Sequence, residues 1–234
     1  MSSIMLVMKT VLIFLLFFFV GSAIVMGYHY WASFNNFNFN FNSKPAITTK
    51  FSLANAPSDS LRGEITSFSG TVDWFSRTAA KPVVITSVRS LQQGEKVSTG
   101  SNGKAQIIIQ NDAAVSLSSD TDVSIIQLLP QNFVFLQDKG SVVYQNTQNA
   151  PVNVRSFGLV SIFTNSTVAY SVNPEEQTIT AIVKKGTMQA AYEDSQNNSQ
   201  VMTAQAGQTI QFDETTNEGT VQGEPIQKSN GPPF

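Results

Sequence analysis

The chain has no cysteine and one histidine, His29. Without cysteine there are no disulfides, thiolate metal sites, cysteine nucleophile or lipidated N-terminal Cys. A single histidine leaves nothing from which to assemble a Ser-His-Asp system or a multi-histidine zinc site. Charge is scarce as well: Asp, Glu, Lys and Arg make up 13% of the residues and the net charge is −2. A nucleic-acid partner would need a basic footprint, and this composition provides none. No residue pattern calls for a cofactor, and most routes to enzymatic catalysis close here. The 234 residues allow one domain of ordinary size plus attachments.

Phenylalanine is abundant, at 17 residues, and much of it lies near the start. From Val11 to Met26, VLIFLLFFFVGSAIVM carries no charge, and apolar character extends from about Ile4 to Trp31, interrupted by Lys9-Thr10. That length crosses a hydrocarbon layer of ~30 Å. Lys9 precedes the run and the next basic side chain is Lys44, which keeps the N-terminus cytosolic. Tyr28, Tyr30 and Trp31 stand where an interfacial aromatic belt forms on the far side. Residues 1–31 therefore read as a single-pass anchor in the plasma membrane. The alternative is a cleaved export signal with Gly21-Ser22-Ala23 as its small-residue site. Under either reading everything after about residue 32 is exported.

Residues 32–63 read as a stalk containing FNNFNFNFN, Phe34 to Asn42. Strict alternation puts Phe37, Phe39 and Phe41 on one face of an extended segment, suited to a membrane interface or a domain edge. Residues 64–213 change character. Apolar residues alternate in Ala105/Ile107/Ile109, Val115/Leu117, Val168/Tyr170/Val172, Ile179/Ala181/Val183 and Met188/Ala190/Tyr192, with Gly, Asn, Asp or Pro between runs. No run keeps a helical period, so the domain is all-β, an antiparallel sandwich or a rolled, coil-like sheet. A weak repeat crosses it. Gly70-Thr71-Val72, Gly140-Ser141-Val142 and Gly186-Thr187-Met188 each set Gly and a hydroxyl residue before an apolar run, and QQGEKV (Gln92–Val97) echoes AQAGQTI (Ala204–Ile210). Either returning strands need a positive φ at their entry turns, or common turn residues coincide. Residues 214–234 lack periodicity and read as a disordered tail.

The loop STGSNGK, Ser98 to Lys104, superficially suggests a phosphate cradle. A P-loop needs a glycine where Ser98 stands, a hydroxyl residue where Ala105 stands, and a following helix instead of AQIIIQ. The loop reads as a tight hairpin turn with Asn102-Gly103 at positive φ. Around it, Leu91-x-x-Gly94-x-x-Val97-x-Thr99-Gly100-x-x-Gly103-x-Ala105-x-Ile107-x-Ile109, then Asp112, Val115-x-Leu117 and Thr121-x-Val123, resembles the FecR domain. Gly70-x-Val72 upstream and VNVRS, STVAYSV and AQAGQTI downstream sit in that family's order, over roughly Ile65 to Phe212. NDAA, Asn111 to Ala114, departs from the Asp-Gly-Ser that the family carries at that turn, which points to a turn of another type.

The resemblance implies an envelope-facing sensor domain, which in the best-known members relays a signal through one membrane helix to a cytosolic sigma-binding segment. Here about eight residues precede the apolar run, too few for a helical domain of tens of residues. What the reading keeps is an anchored, extracytoplasmic binding or sensing module for a protein or envelope polymer, with strand addition at a sheet edge as one recognition mode. The competing class is a structural or adhesive surface component that self-associates. Smaller candidates read as turns: Asp120-Thr121-Asp122 as a calcium loop without the EF-hand pattern, and Glu175-Glu176 as a hairpin tip. Asn165-Ser166-Thr167 and Asn197-Asn198-Ser199 match the glycosylation sequon and matter only in a secreting eukaryote.

Overall fold

The alternation in the sequence becomes fifteen strands. In a computed structural model that describes residues 59–226 apart from 80, 111, 112 and 148, every regular element is a strand. The first eight are β1 (Gly63–Ser69), β2 (Val72–Phe75), β3 (Val83–Val84), β4 (Arg89–Leu91), β5 (Lys96–Thr99), β6 (Lys104–Ile109), β7 (Ala113–Leu117) and β8 (Asp122–Leu129). The rest are β9 (Asn132–Asn146), β10 (Val152–Ser156), β11 (Leu159–Asn173), β12 (Thr178–Glu193), β13 (Ser199–Gln205), β14 (Thr209–Asp213) and β15 (Glu218–Gln222). All join one hydrogen-bonded sheet, whose main path runs β15-β14-β12-β11-β10-β9-β7-β6-β1-β4 and does not close into a barrel. The proposed membrane span, with Lys9, Tyr28, Tyr30 and Trp31, and the stalk up to residue 58 lie outside the described residues. Among the described residues no helix is long and apolar enough to cross a membrane.

The sheet encloses a core because its long strands bend and change partners. The first part of β9 pairs with β8, and the part from Gly140 onward pairs with β7 and β11. β12 does the same at Gly186: its first part pairs with β14 and its second with β13. Gly70 separates β1 from β2, which also take different partners. These are the three glycines of the weak repeat, with φ of 64°, 83° and 82°. They mark bends inside or between strands rather than the entry turns expected from sequence.

Each bend is also a close crossing, where a Cβ would overlap Asn102 O, Thr121 Oγ1 or Ser166 Oγ. The residue after each glycine donates its N–H to a side-chain oxygen of the crossing segment: Thr71 to Asn102 Oδ1, Ser141 to Thr121 Oγ1 and Thr187 to Ser166 Oγ, each at 3.1 Å. Backbone groups that the bend removes from the ladder are thus satisfied.

The second repeat is also real in the backbone. Glu95 N–H donates to Gln92 O (3.2 Å) and Gln208 N–H to Gln205 O (2.9 Å), closing two turns with Gly94 and Gly207 at positive φ. Each glycine N–H then reaches a strand carbonyl, Ile125 O or Val183 O, whose own residue donates back to Glu95 O or Gln208 O.

Inward residues of the bent strands form one core, including Ile65, Leu91, Ile107, Ile125, Phe133, Phe135, Tyr144, Val154, Tyr170, Ala181, Ile210 and Phe212. Burying a large apolar side chain of this kind contributes roughly 1.5–3 kcal/mol. Several polar side chains are buried with them, and Gln137 lies at the centre of one network. Gln137 is fully buried, accepts from the Tyr144 hydroxyl (3.1 Å) and donates to Gly140 O (2.8 Å) and Tyr170 O (3.3 Å). The Tyr170 and Ser161 hydroxyls lie 3.4 Å apart. Burial pushes both tyrosine hydroxyls well above their ordinary range, so they remain neutral.

Three features depart from the sequence reading. β9 and β10 pair in parallel, Phe133 beside Val152 and Phe135 beside Val154, so the sheet is mixed rather than antiparallel throughout. The bend at Gly140 allows this, because the second half of β9 serves as the crossover that parallel strands need. Residues 214–226 are not a loose tail: β15 pairs with β14 from Glu218 opposite Asp213 to Gln222 opposite Thr209. β15 is exposed along most of its length, so no apolar alternation announced it. Finally, Ser101-Asn102 is not a hairpin tip. β5 pairs with β2 and β8, β6 pairs with β1 and β7, and neither Asn102 nor Gly103 has positive φ. The segment is an arch between two partner sets, closed by Gly103 N–H on Gly100 O at 2.8 Å.

Candidate functional site

The residues singled out in the FecR-like pattern meet, but as architecture. Val72, Leu91, Val97 and Ala105 are buried in the core. Gly70, Gly100 and Gly103 form the crossing around Thr71, with Gly100 N–H on Thr71 O at 3.0 Å. Buried Thr99 donates its hydroxyl to Ser118 O (2.6 Å) and accepts from Thr121 N–H (3.0 Å). Gly94 forms the turn described above. Asp112 lies outside the described residues; beside it, Gln110 takes positive φ and Ala113 already opens β7. Asp120-Thr121-Asp122 does not gather a cation site: Asp120 occupies a turn at φ 52° and the Asp122 carboxylate is held by Lys96 (2.9 Å) and the Ser98 hydroxyl (2.5 Å). Among the described residues no three Asp, Glu or His come together in a way that could hold a metal.

A different set of side chains converges at the end of the sheet built by β2, β3 and β4. Trp74 on β2 lies opposite Val83 on β3. The Arg89 guanidinium from β4 sits 3.3 Å from the centroid of the Trp74 ring, a cation–π stack. The indole N–H donates to Glu95 Oε2 (3.0 Å), which also accepts from Gln92 N–H (2.9 Å). Glu95 is buried, so this carboxylate fixes both the Gln92–Glu95 turn and the plane of the indole. Arg77 lies across Gly94, its Nε 2.9 Å from where a Cβ would stand. Glycine thus serves twice here, for the turn and for room beneath a guanidinium.

Two donors of this cluster are left over. Arg77 Nη1 and Arg89 Nε are buried with no hydrogen-bond partner. Buried donors are ordinarily paired, and an unpaired one costs about 1–3 kcal/mol. Around them Val83, Val84 and Val88 are exposed by 48%, 56% and 54%. An aromatic ring, two arginines with spare donors and an apolar fringe make up the composition of an interface centre. Sequence reasoning missed this cluster. The available signal was that Trp74 is one of only two tryptophans, three residues before Arg77.

Next to it, Lys96 bridges Asp122 (2.9 Å) and Asp138 (3.3 Å) and lies 5.7 Å from the Phe75 ring centroid. Partial burial works to raise the Asp122 carboxyl, but the Ser98 hydroxyl and the Lys96 ammonium outweigh it and hold the pKa below its ordinary value. For Lys96 burial works downward, and hydrogen bonding and attraction to Asp122 and Asp138 carry it above its ordinary value.

No family model matches the chain, and no curated protein matches it. Two crystal structures described as a candidate anti-sigma factor from Parabacteroides distasonis ATCC 8503 are similar in fold. Each has 15% sequence identity and a TM-score of 0.48, covering 57% of this chain and 61% of that one. The similarity thus spans less than two thirds of those structures.

Proposed function

We propose that this chain is an anchored extracytoplasmic binding and sensing module, which presents its β domain to a protein partner in envelope signalling. The observation that carries the reading is the Trp74–Arg89–Arg77 cluster, with its spare donors and exposed valine fringe. The apolar run from Val11 to Met26 and the FecR-like spacing from Leu91 to Val123 support its placement outside the membrane. The guanidinium donors suit carboxylates or backbone carbonyls, and the valines suit apolar side chains. Together these favour a polypeptide over a purely polar envelope polymer.

The test is capture of partners from envelope extracts by the full chain, comparing wild type with Arg89→Ala and Arg77→Ala. Each variant is expected to retain its folding midpoint within about 2 °C and to lose capture of the specific partner about tenfold or more. Equal capture by all three chains would remove the cluster from the contact. Protease added to intact cells checks the placement, and a β domain protected from digestion would refute it.

A further inference from the structure

The open edges of the sheet are guarded unequally. β3 is two residues long and follows Pro82, β4 is three residues long and carries Arg89, and β15 carries Glu218. Shortness, proline and charge keep open edges from recruiting other chains. β13 has none of these. Its seven residues, SQVMTAQ, include no charge and no proline, and they pair with β12 in unbroken register. Among the described residues no strand pairs with the other side of β13; Gly219 of β15 packs under Met202, and Ile226 N–H reaches Ala206 O (2.7 Å) just past the Gln205 end. Val201 is 67% exposed, and its outward row continues apolar through Ala191 on β12 to Val160 on β11. In the next row Thr203 faces Gln189, which faces exposed Ile162.

We infer that β13 is a self-association edge, on which a second copy of this chain pairs its own β13 antiparallel, centred on Met202, to give a closed two-fold dimer. Register favours this arrangement. Met202 and Ala204 face the core while Val201 and Thr203 face outward. Cross-strand neighbours share a face, so centring on Met202 keeps the two cores on the same side of the joined sheet. It also overlaps all seven residues and sets Val201 opposite the second copy's Thr203.

The charge pattern at the two ends of this edge complements a second copy. Exposed Lys184 and Lys185 on β12 lie at the Gln205 end of β13, and exposed Glu193 lies at the Ser199 end. Antiparallel self-pairing turns the acidic end of each copy toward the basic end of the other, twice over, roughly 14 Å apart across three strand spacings. The contact consumes the edge on both copies, so assembly stops at two.

A chain without cysteine allows the contact to be trapped at chosen positions. Full-length chains carrying Val201→Cys and Thr203→Cys, differently tagged, are co-expressed and oxidised in cells. In this register the two positions are directly opposed, with Cβ atoms about 4.5–5.5 Å apart, whereas position 201 meets its own copy only diagonally at roughly 7–8 Å. A disulfide spans the first distance with slight adjustment and not the second. The mixed pair is expected to give a disulfide dimer about tenfold above either variant alone. Light scattering on the purified full chain should show a dimer that Val201→Lys weakens about tenfold or more without altering the fold, since the side chain is exposed.

Equal trapping in mixed and single cultures would overturn the inference, as would a wild-type monomer at high concentration. A dimer seen only after deletion of residues 227–234 would also overturn it, as would growth beyond two copies. None of these results bears on the Trp74 cluster, which sits on other strands.

Discussion

The two halves of the sheet build one turn with two different side chains. At the first, Glu95 accepts from Gln92 N–H through Oε2; at the second, Gln208 accepts from Gln205 N–H through Oε1, both at 2.9 Å. Beyond that shared bond they diverge. Glu95 reaches the indole N–H of Trp74, and Gln208 sends its amide to Gly223 O at 3.3 Å. The backbone task needs only an oxygen, so the charge on Glu95 is surplus to the fold. Continuing the same register, Lys96 and Asp122 in the first half stand where Thr209 and Thr180 stand in the second. The first half of the framework carries ionisable groups where the second carries neutral ones, at the end where the arginine–tryptophan cluster lies.

The bends offer the severest way to break this comparison. Alanine at Gly140 or Gly186 must take positive φ and push a Cβ into Thr121 or Ser166. Each should lose about 3 kcal/mol or more, read as a lower urea midpoint at unchanged slope. If one half tolerates alanine and the other does not, the two bends are not equivalent.

A smaller effect sharpens the contrast in charge. The depressed Asp122 pKa means that its contribution is present above the unfolded value of about 3.9 and is lost as pH falls through the lower folded value. The raised Lys96 pKa contributes below about 10.4 and is lost as pH rises through the folded value. Both groups are largely solvent-screened, so the pair contributes at most about 1 kcal/mol. Melting curves from pH 7 to pH 3 should flatten in Asp122→Asn relative to wild type. The smallest expected change in stability, within about 0.5 kcal/mol, is that of Glu95→Gln, because Gln208 already serves the same turn. Its partner capture should nevertheless fall about fivefold, as a neutral acceptor holds the indole less firmly; Gln208→Glu should leave capture unchanged.

Most of the strands were legible because one face of each is buried. Ile107 and Ile109, Val168 and Tyr170, and Ala181 and Val183 all point into the core as their alternation required. β15 was not legible, since its pairing is backbone work with nearly every side chain in solvent. The arch at Ser101-Asn102 was read as a hairpin because local turn chemistry does not record which strands the flanking runs will join. The parallel contact of β9 with β10 depends on the bend at Gly140, and a lone glycine in a strand announces a bend without its angle. At the candidate site, the convergence of Arg77, Trp74 and Arg89 arises from segments brought together by β2–β3, β2–β5 and β1–β4 pairing, which no local pattern records.

The position of β1 has a mechanical consequence. It enters the sheet as an interior strand, with β6 on one flank and β4 on the other. A pull on the chain at residue 59 along the strand axis therefore loads two ladders in shear at once, and they must slip together rather than unzip bond by bond. Load arriving from the N-terminal side would reach the ends of β4 and β6 together at Gly63, opposite Leu91 and Ile109, and the Arg89 stack two residues later through the Ile65–Arg89 rung.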